Sequence, residues 1–587
     1  MSLTEITPGS IPHFDRRFFV SGEPIMRIGD GEIGGKAHGL AAAQAIIDTS
    51  LAPAEDADIT VSVPQLTVIT TSVFRDFLNR NDLREVAMSD LPDERIAHAF
   101  QQASLPTEIT GDLRAITEEV HTPLAVRSSS LLEDAMFRPF AGVYETKMTP
   151  NNQSDPSVRF HKLVEAVKFV WSSTFFRGAK NYIRTTDKTI DDEQMAVVIQ
   201  EVVGRRFGDR YYPHLSGVCR SYNYYPSERS RPDEGVVSLA LGLGKTIVDG
   251  GITWSYAPPR PNLPPPFASV QDQIRNTQNT FWAVNMGKPP VFDPIAEAEY
   301  LVEADLSDAE YDDTLEYVAS TYQAQSDRLS PGIGSAGPRV LNFAPLLQLR
   351  LFRLNDVVTR MLKSCEEALT APVEIEFALT FPPRGSGERA RLGFLQVRPM
   401  VVSSTPVDIS DSDMQAPNLL AASTRVLGNG INDKIADVVY VKPESFHARH
   451  TPVIARELDG INTSLLRAGR PYLLIGFGRW GSSDPWLGIP VNWGQICNAG
   501  AIIEATLPEM AIELSQGSHF FHNLSSFEVS YFMIPHHSGP GINWPWLDQQ
   551  PAATETDLVR HVPLTRPLTI RVDGRAGRGV IVTPVVS

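Results

Sequence analysis

Cysteine is scarce. The chain has three in 587 residues, Cys219, Cys365 and Cys497. They lie far apart and without CxxC spacing, which argues against a disulfide framework or a thiolate metal site; they read as buried thiols in a reducing compartment. Long apolar runs are missing too. No stretch of 18 apolar residues occurs, and the opening MSLTEITPGSIPHFDRRFF lacks an apolar core of leader length, so neither a membrane span nor a signal peptide is expected. Positive charge is in deficit: 52 Lys and Arg face 69 Asp and Glu, a formal net charge of −17. Nucleic acid and anionic membranes need clustered positive surface, so both are disfavoured as partners. No internal repeat of solenoid length is present. What remains is the expectation of a cytoplasmic globular protein whose length asks for roughly two to four domains.

Apolar periodicity supplies the organisation. VSVPQLTVITTSVFRDFLNRN (61–81) predicts a short strand, a Thr-Thr turn and an amphipathic helix. RFHKLVEAVKFVWSSTFFRGAKNYIRTT (159–186) has helical spacing throughout and predicts one long helix, while MAVVIQEVVG (195–204) and GFLQVRPM (393–400) read as strands. The stretch SSTPVDISDSDMQAPNLLAAS (403–423) is polar and aperiodic, and predicts a linker separating residues 1–402 from 424–587. A second linker candidate is the proline-rich SYAPPRPNLPPPFAS (255–269). Alternation of strands and helices predicts an α+β or α/β class.

Four short stretches carry candidate chemistry. GDGEIGGKAHGLAAAQAI (29–46) places Gly34, Gly35 and Lys36 ahead of a helix predicted from about Ala37. Glycines let backbone N–H groups approach a phosphate, the helix start adds positive potential, and the lysine adds a charge. It is not a Walker A loop, and a plain tight turn would look the same. PLAVRSSSLLEDAMFRPFAGVYET (123–146) runs an apolar strand into Arg127, Ser128 and two more serines, then Glu133 and Asp134. A guanidinium there can pair bidentately with phosphate oxygens; the bland alternative is an Arg–carboxylate pair beside a serine turn. SLALGLGKTIVDGGI (238–252) holds Gly242, Gly244 and Lys245 in what is either a phosphate-covering loop or an ordinary hairpin. Finally, Glu374 and Glu376 share one face of a strand, and Gln396 and Arg398 share one face of another about twenty residues on. Carboxylate, amide oxygen and guanidinium on adjacent strands suit a Mg²⁺–triphosphate site.

Taken in order, GGKAHGLA, VPQLTVITTSVFRDFL, VRSSSLLEDAMFRPFAGVYET, VWSSTFFRGAKNYIR, MAVVIQEVV, SGVCRS, GLGKTIVDGG and EIEFAL…LQVRP resemble the nucleotide-binding domain of the phosphoenolpyruvate synthase and pyruvate phosphate dikinase family across roughly residues 20–400. The resemblance implies an ATP-grasp fold, two α+β lobes holding ATP, over 1–402. It implies Lys36 and Arg127, with Ser128, on the phosphates, and Glu376 and Gln396 on Mg²⁺ or the phosphates. Arg398 becomes a phosphate clamp, and Gln200 lies near the adenine. Arg184 matches a family arginine of less defined role. Two departures stand out. The family's glycine-rich segment usually has Glu after GLG, where this chain has Lys245, and an acidic residue ahead of it, where this chain has Ser238 or Leu239; the lysine could replace a cation there. The family's phosphohistidine marker, Gly-Gly-x-x-[Ser/Thr]-His-Ala, and its TIM barrel have no counterpart, so a complete dikinase is not expected.

Residues 424–587 predict a smaller α/β domain that binds an acceptor. RPYLLIGFGRWGSSDPWLGIPVNW (470–493) packs Arg479, Trp480, Ser482, Ser483, Asp484 and Trp486 between strands, either a ligand turn or a structural corner. His519 is the candidate phosphocarrier, with His522, His536, His537, His447 and His450 as competitors. The expected function is ATP- and Mg²⁺-dependent phosphoryl transfer to a small-molecule acceptor, to a histidine here, or to a partner phosphocarrier protein. A non-catalytic ATP sensor and an ATP-grasp ligase are the alternatives.

Overall fold

The computed structural model describes residues 8–16, 23–51, 58–131, 143–184, 193–224, 230–265, 267, 269–400, 407–482, 486–508, 510, 524, 529–536 and 541–584. It is a mixed α/β protein built from several sheets. The first is five-stranded, in the order Ile25–Ile28, Leu66–Ile69, Met195–Glu201, Leu124–Ser130 and Thr146–Thr149. Two of its strands, Leu66–Ile69 and Met195–Glu201, are buried along almost their whole length because helices cover the sheet. The helices Thr71–Arg80, Asp93–Gln102 and Pro156–Ser173 bring Phe74, Phe77, Phe100 and Trp171 into one aromatic core. The second sheet is six-stranded: Trp254–Tyr256, Val236–Ala240, Leu215–Arg220, Val373–Thr380, Ala390–Pro399 and Ile59–Ser62.

One helix joins the two sheets. Gly34–Ser50 packs on both the Leu124–Ser130 strand and the Ala390–Pro399 strand. Its small residues let it sit close: a Cβ on Gly39 would lie 2.8 Å from the Val397 carbonyl oxygen. The helix begins at Gly34, three residues before the expected Ala37, so the Gly-Gly-Lys triplet is its first turn. Gly34 has φ +75, and a Cβ there would lie 1.8 Å from the Ser129 carbonyl oxygen. That glycine is demanded by a backbone crossing as well as by a left-handed conformation.

The long helix expected over 159–186 is two helices, Pro156–Ser173 and Arg177–Arg184. The Ser172 and Ser173 hydroxyls donate to the carbonyls of Phe169 and Val170, each at 2.7 Å, and such back-bonding competes with helix continuation. The linker expected over 403–423 also needs correction. Leu419–Ser423 is a fully buried strand paired with Arg578–Val582, and Ile409 is buried beside it. Flanking Ser, Asp and Pro residues masked a short apolar strand whose partner lies about 160 positions away.

Beyond residue 418 the main sheet has seven strands, of which Asp437–Val441, Tyr472–Phe477, Ala499–Ala505 and Ser530–Ile534 run parallel. The helix Thr451–Arg467 makes the first crossover. All three cysteines are buried free thiols. No helix among the described residues is long and apolar enough to cross a membrane.

Candidate functional site

The arginine of the strand Leu124–Ser130 spans the gap between the two sheets. Arg127 Nη1 donates to the Leu395 carbonyl and Nη2 to Gln396 Oε1, each at 2.9 Å, although 268 and 269 residues separate the partners. The same guanidinium stands 3.4 Å from Gln200 Oε1 and 3.7 Å from Glu376 Oε2. Lys36 Nζ lies 3.5 Å from Ser128 Oγ, which puts the first turn of the Gly34–Ser50 helix beside the residue that follows Arg127 in its strand. Ser129 has a separate task. Its hydroxyl donates to the Ile33 carbonyl and accepts from the Ala37 N–H at 3.0 Å, tying down the helix start that no N-cap side chain satisfies.

On the second sheet, Val373–Thr380 and Ala390–Pro399 pair antiparallel, with Glu374 opposite Arg398 and Glu376 opposite Gln396. A register shift follows Glu376. Glu374 is buried and accepts from Arg398 Nε at 2.9 Å and from Arg220 Nε at 2.5 Å. Arg220 belongs to the neighbouring strand Leu215–Arg220; the SGVCRS motif alone shows no role for it, because only pairing in register brings it to Glu374. Arg398 is 2% exposed and also reaches Glu376 at 3.4 Å. Glu374 is therefore a buried counterion, and Glu376 is the more exposed of the two carboxylates.

The donor set suits a magnesium–phosphate group. Magnesium is usually held by one or two oxygen ligands plus substrate phosphates rather than by an all-protein cage. Glu376 and Gln396 offer such oxygens side by side. Among the described residues no three His, Cys, Asp or Glu side chains gather in a metal-binding cluster of their own. A second sign of fit is Gln200: it is 2% exposed, its Oε1 faces Arg127, and its Nε2 is a buried donor with no partner. A buried orphan donor costs stability unless something accepts from it.

The glycine-rich segment 241–252 leads from the strand Val236–Ala240 into a short helix, Lys245–Val248. Gly242 has φ +79, and Leu243 N–H donates to the Trp282 carbonyl, so this glycine serves the turn; Gly244 has room for a side chain. Lys245 is enclosed by acid, 2.9 Å from Asp249 and 3.9 Å from Glu297. Burial works to lower its pKa, but Asp249, Glu297 and Glu145 outweigh that and raise it. Glu145 is pushed up to about 8, chiefly by burial and then by Glu297. The folded protein thus keeps that proton to higher pH than the unfolded chain. The stability it confers is complete below the ordinary carboxylate range and is lost as pH rises through about 8. The melting temperature is expected to fall from about pH 5 to 8, and Glu145→Gln should flatten that fall. Equal slopes in both proteins would rule this out.

The C-terminal motif meets this same segment. Arg479, just after the parallel strand Tyr472–Phe477, donates through Nη1 to the Gly250 carbonyl, 229 residues away. Trp480 is buried against the backbone of Ile503, and the fully buried Glu504 accepts from Tyr531. Ser482 is buried, Trp486 is 74% exposed, and Ser483 and Asp484 lie outside the described residues. His519, His522 and His537 also lie outside them. His447 and His450 sit together on the surface, away from these contacts. Arg184 lies at the end of its helix and bonds Asn181, not the Arg127 cluster.

Comparison with known proteins agrees with the geometry. Residues 30–416 match the family described as "Pyruvate phosphate dikinase, AMP/ATP-binding domain". An "Uncharacterized phosphotransferase YvkC" of Bacillus subtilis is 27% identical over 191 residues, covering 32% of this chain and 20% of that protein. A "Phosphoenolpyruvate synthase" of Aeropyrum pernix is 26% identical over 214 residues, covering 33% and 24%. These matches thus span a fifth to a quarter of the relatives' lengths. With about two-thirds of its residues inside the family match and the arginine, lysine and carboxylate cluster assembled within it, the chain belongs to the pyruvate phosphate dikinase AMP/ATP-binding domain family.

Proposed function

We propose that the protein is an ATP-dependent phosphotransferase whose two sheets are the lobes of an ATP-grasp-type cleft within residues 1–402, with residues 424–587 supplying the acceptor side. The observation that carries this reading is Arg127, which leaves one sheet and bonds Leu395 and Gln396 on the other. A guanidinium in that position can release an amide oxygen to a metal and turn its own fork to phosphate. Lys36 adds a second positive charge from the first turn of its helix. Glu376 and Gln396 would hold Mg²⁺, which when bound neutralises phosphate charge and orients the triphosphate. Arg398, enclosed by Glu374, is better suited to aiming Glu376 than to touching phosphate. The unpartnered Gln200 Nε2 would donate to the nucleotide. Catalysis of this kind rests on positioning and electrostatic stabilisation rather than on a covalent group.

The acceptor is read as a small molecule at the carboxyl ends of the parallel strands, where α/β sheets commonly bind ligands. Two contacts support this: the GRWG turn follows one of those strands, and its arginine docks on the glycine-rich segment. A histidine relay through His519, or a partner phosphocarrier protein, is the variant of the same reading. The rival is a nucleotide sensor without turnover, favoured by the carboxylates that neutralise Lys245.

Phosphorus NMR of the protein with ATP, Mg²⁺ and candidate acceptors separates these. Turnover to ADP or AMP with a new phosphoproduct is expected for the wild type. Glu376→Ala should lose it by at least about a hundredfold while keeping its circular dichroism spectrum. No acceptor-dependent product from any candidate would favour the sensor, and an undiminished Glu376→Ala would remove the proposed metal site.

A further inference from the structure

Away from the Arg127 cluster, a cavity of about 270 Å³ opens between the helix Arg177–Arg184, the loop Ser89–Leu91 and the helix Thr451–Arg467. Its lining has four cations, Arg177, Lys180, Arg184 and Arg467, against two carboxylates, Asp90 and Asp459. Two of the cations are accounted for. Arg177 pairs with Asp459 at 3.3 Å, and Lys180 donates to the Ser89 carbonyl at 2.6 Å with Asp90 nearby. Arg184 and Arg467 pair with no carboxylate among the described residues.

Residues 177, 180 and 184 recur at three- and four-residue spacing, so one helix face holds three like charges, an arrangement that destabilises a helix unless something compensates. Asn181, also in the lining, is 1% exposed; its Oδ1 accepts from Arg184 at 3.1 Å, and its Nδ2 is a buried donor without a partner. Thr463 adds a hydroxyl from the opposite helix. The site therefore holds a surplus of positive charge and of donors, contributed from both sides of the junction.

We infer that this cavity binds a small phosphate-bearing anion of the phosphomonoester class and, by doing so, fastens the Arg177–Arg184 helix to the C-terminal helix. Phosphate suits the site better than carboxylate because guanidinium forks, an amide and a hydroxyl approach from different sides, and three oxygens can accept from all of them. The volume lies just below the roughly 300–1,000 Å³ of pockets for drug-sized ligands, which favours a small ester over a whole nucleotide. None of the residues proposed for the nucleotide lines this cavity.

The test is calorimetric titration of the full chain with glycerol 3-phosphate, with malonate as the carboxylate control. Saturable binding is expected in the wild type, and in Arg127→Ala with a Kd within about twofold. Arg184→Ala and Arg467→Ala should each weaken it at least tenfold; Arg467 is exposed, so its loss does not threaten folding. Absence of saturable binding, loss of binding in Arg127→Ala, unchanged affinity in either of the other two variants, or equal affinity for malonate would each overturn the assignment.

Discussion

Arg127→Ala is expected to lower ATP turnover by at least about a thousandfold, the scale on which arginines that stabilise transferring phosphoryl groups act. The change removes more than a charge. It also cuts the two 2.9 Å bonds that tie the first sheet to Leu395 and Gln396 on the second, so the two sheets lose a brace as well as the proposed phosphate ligand. Arg127→Lys separates these contributions. A lysine keeps the charge but cannot present a planar fork to Gln396 and a phosphate together, so it should recover only a small part of the rate. Initial rates of nucleotide product formation, with circular dichroism as the check on folding, measure both variants. Wild-type rates in Arg127→Ala would place the phosphates elsewhere.

Glu374→Ala should produce the largest stability loss, about 3–5 kcal/mol, because it removes the shared counterion of two guanidinium groups and leaves the buried Arg398 only its longer contact with Glu376. Glu374 has Arg398 on one side and Arg220 on the other, and both it and Arg398 are 2% exposed. Removing one member of such a set leaves the desolvation cost of the others uncompensated. Replacing Glu374 and Arg398 together by leucine and methionine should therefore recover much of the loss, since a buried pair gains little net stability over apolar residues of similar shape. Urea unfolding followed by tryptophan fluorescence reads both variants. A Glu374→Ala midpoint equal to the wild type would show that the triad does not support the sheet. Glu376, two residues along and only partly buried, should behave in the opposite way, with activity falling and stability nearly unchanged.

The two glutamates show how far the linear pattern carries. Period-two alternation places Glu374 and Glu376 on one face of their strand, and Gln396 and Arg398 on one face of theirs. It says nothing of which carboxylate is buried. That depends on Arg220, which arrives from 154 residues upstream through a third strand. Gly34 is similar. A glycine before a lysine and a helix reads as phosphate-binding backbone, yet its immediate constraint is the Ser129 carbonyl that crosses it. Ser129, one of the serines after Arg127, anchors that helix start. Lys245 reads as a cation facing a ligand, and its acid enclosure depends on Asp249, Glu297 and Glu145, gathered from three segments. The buried strand Leu419–Ser423 is not legible in the sequence because five apolar and small residues have no visible period until their partner strand is known.

Local order alone determined the family, the class of fold and the identities of the charged and amide groups available for chemistry, since these depend on residue type and on spacing within single strands and helices. Only tertiary structure decided which arginine bridges the sheets, which carboxylate is spent as a counterion, and that Arg479 docks on the glycine-rich segment. Those outcomes depend on burial and on hydrogen bonds between positions from 22 to 269 residues apart, and the energy of a charge is set by what surrounds it, not by what precedes it in the chain.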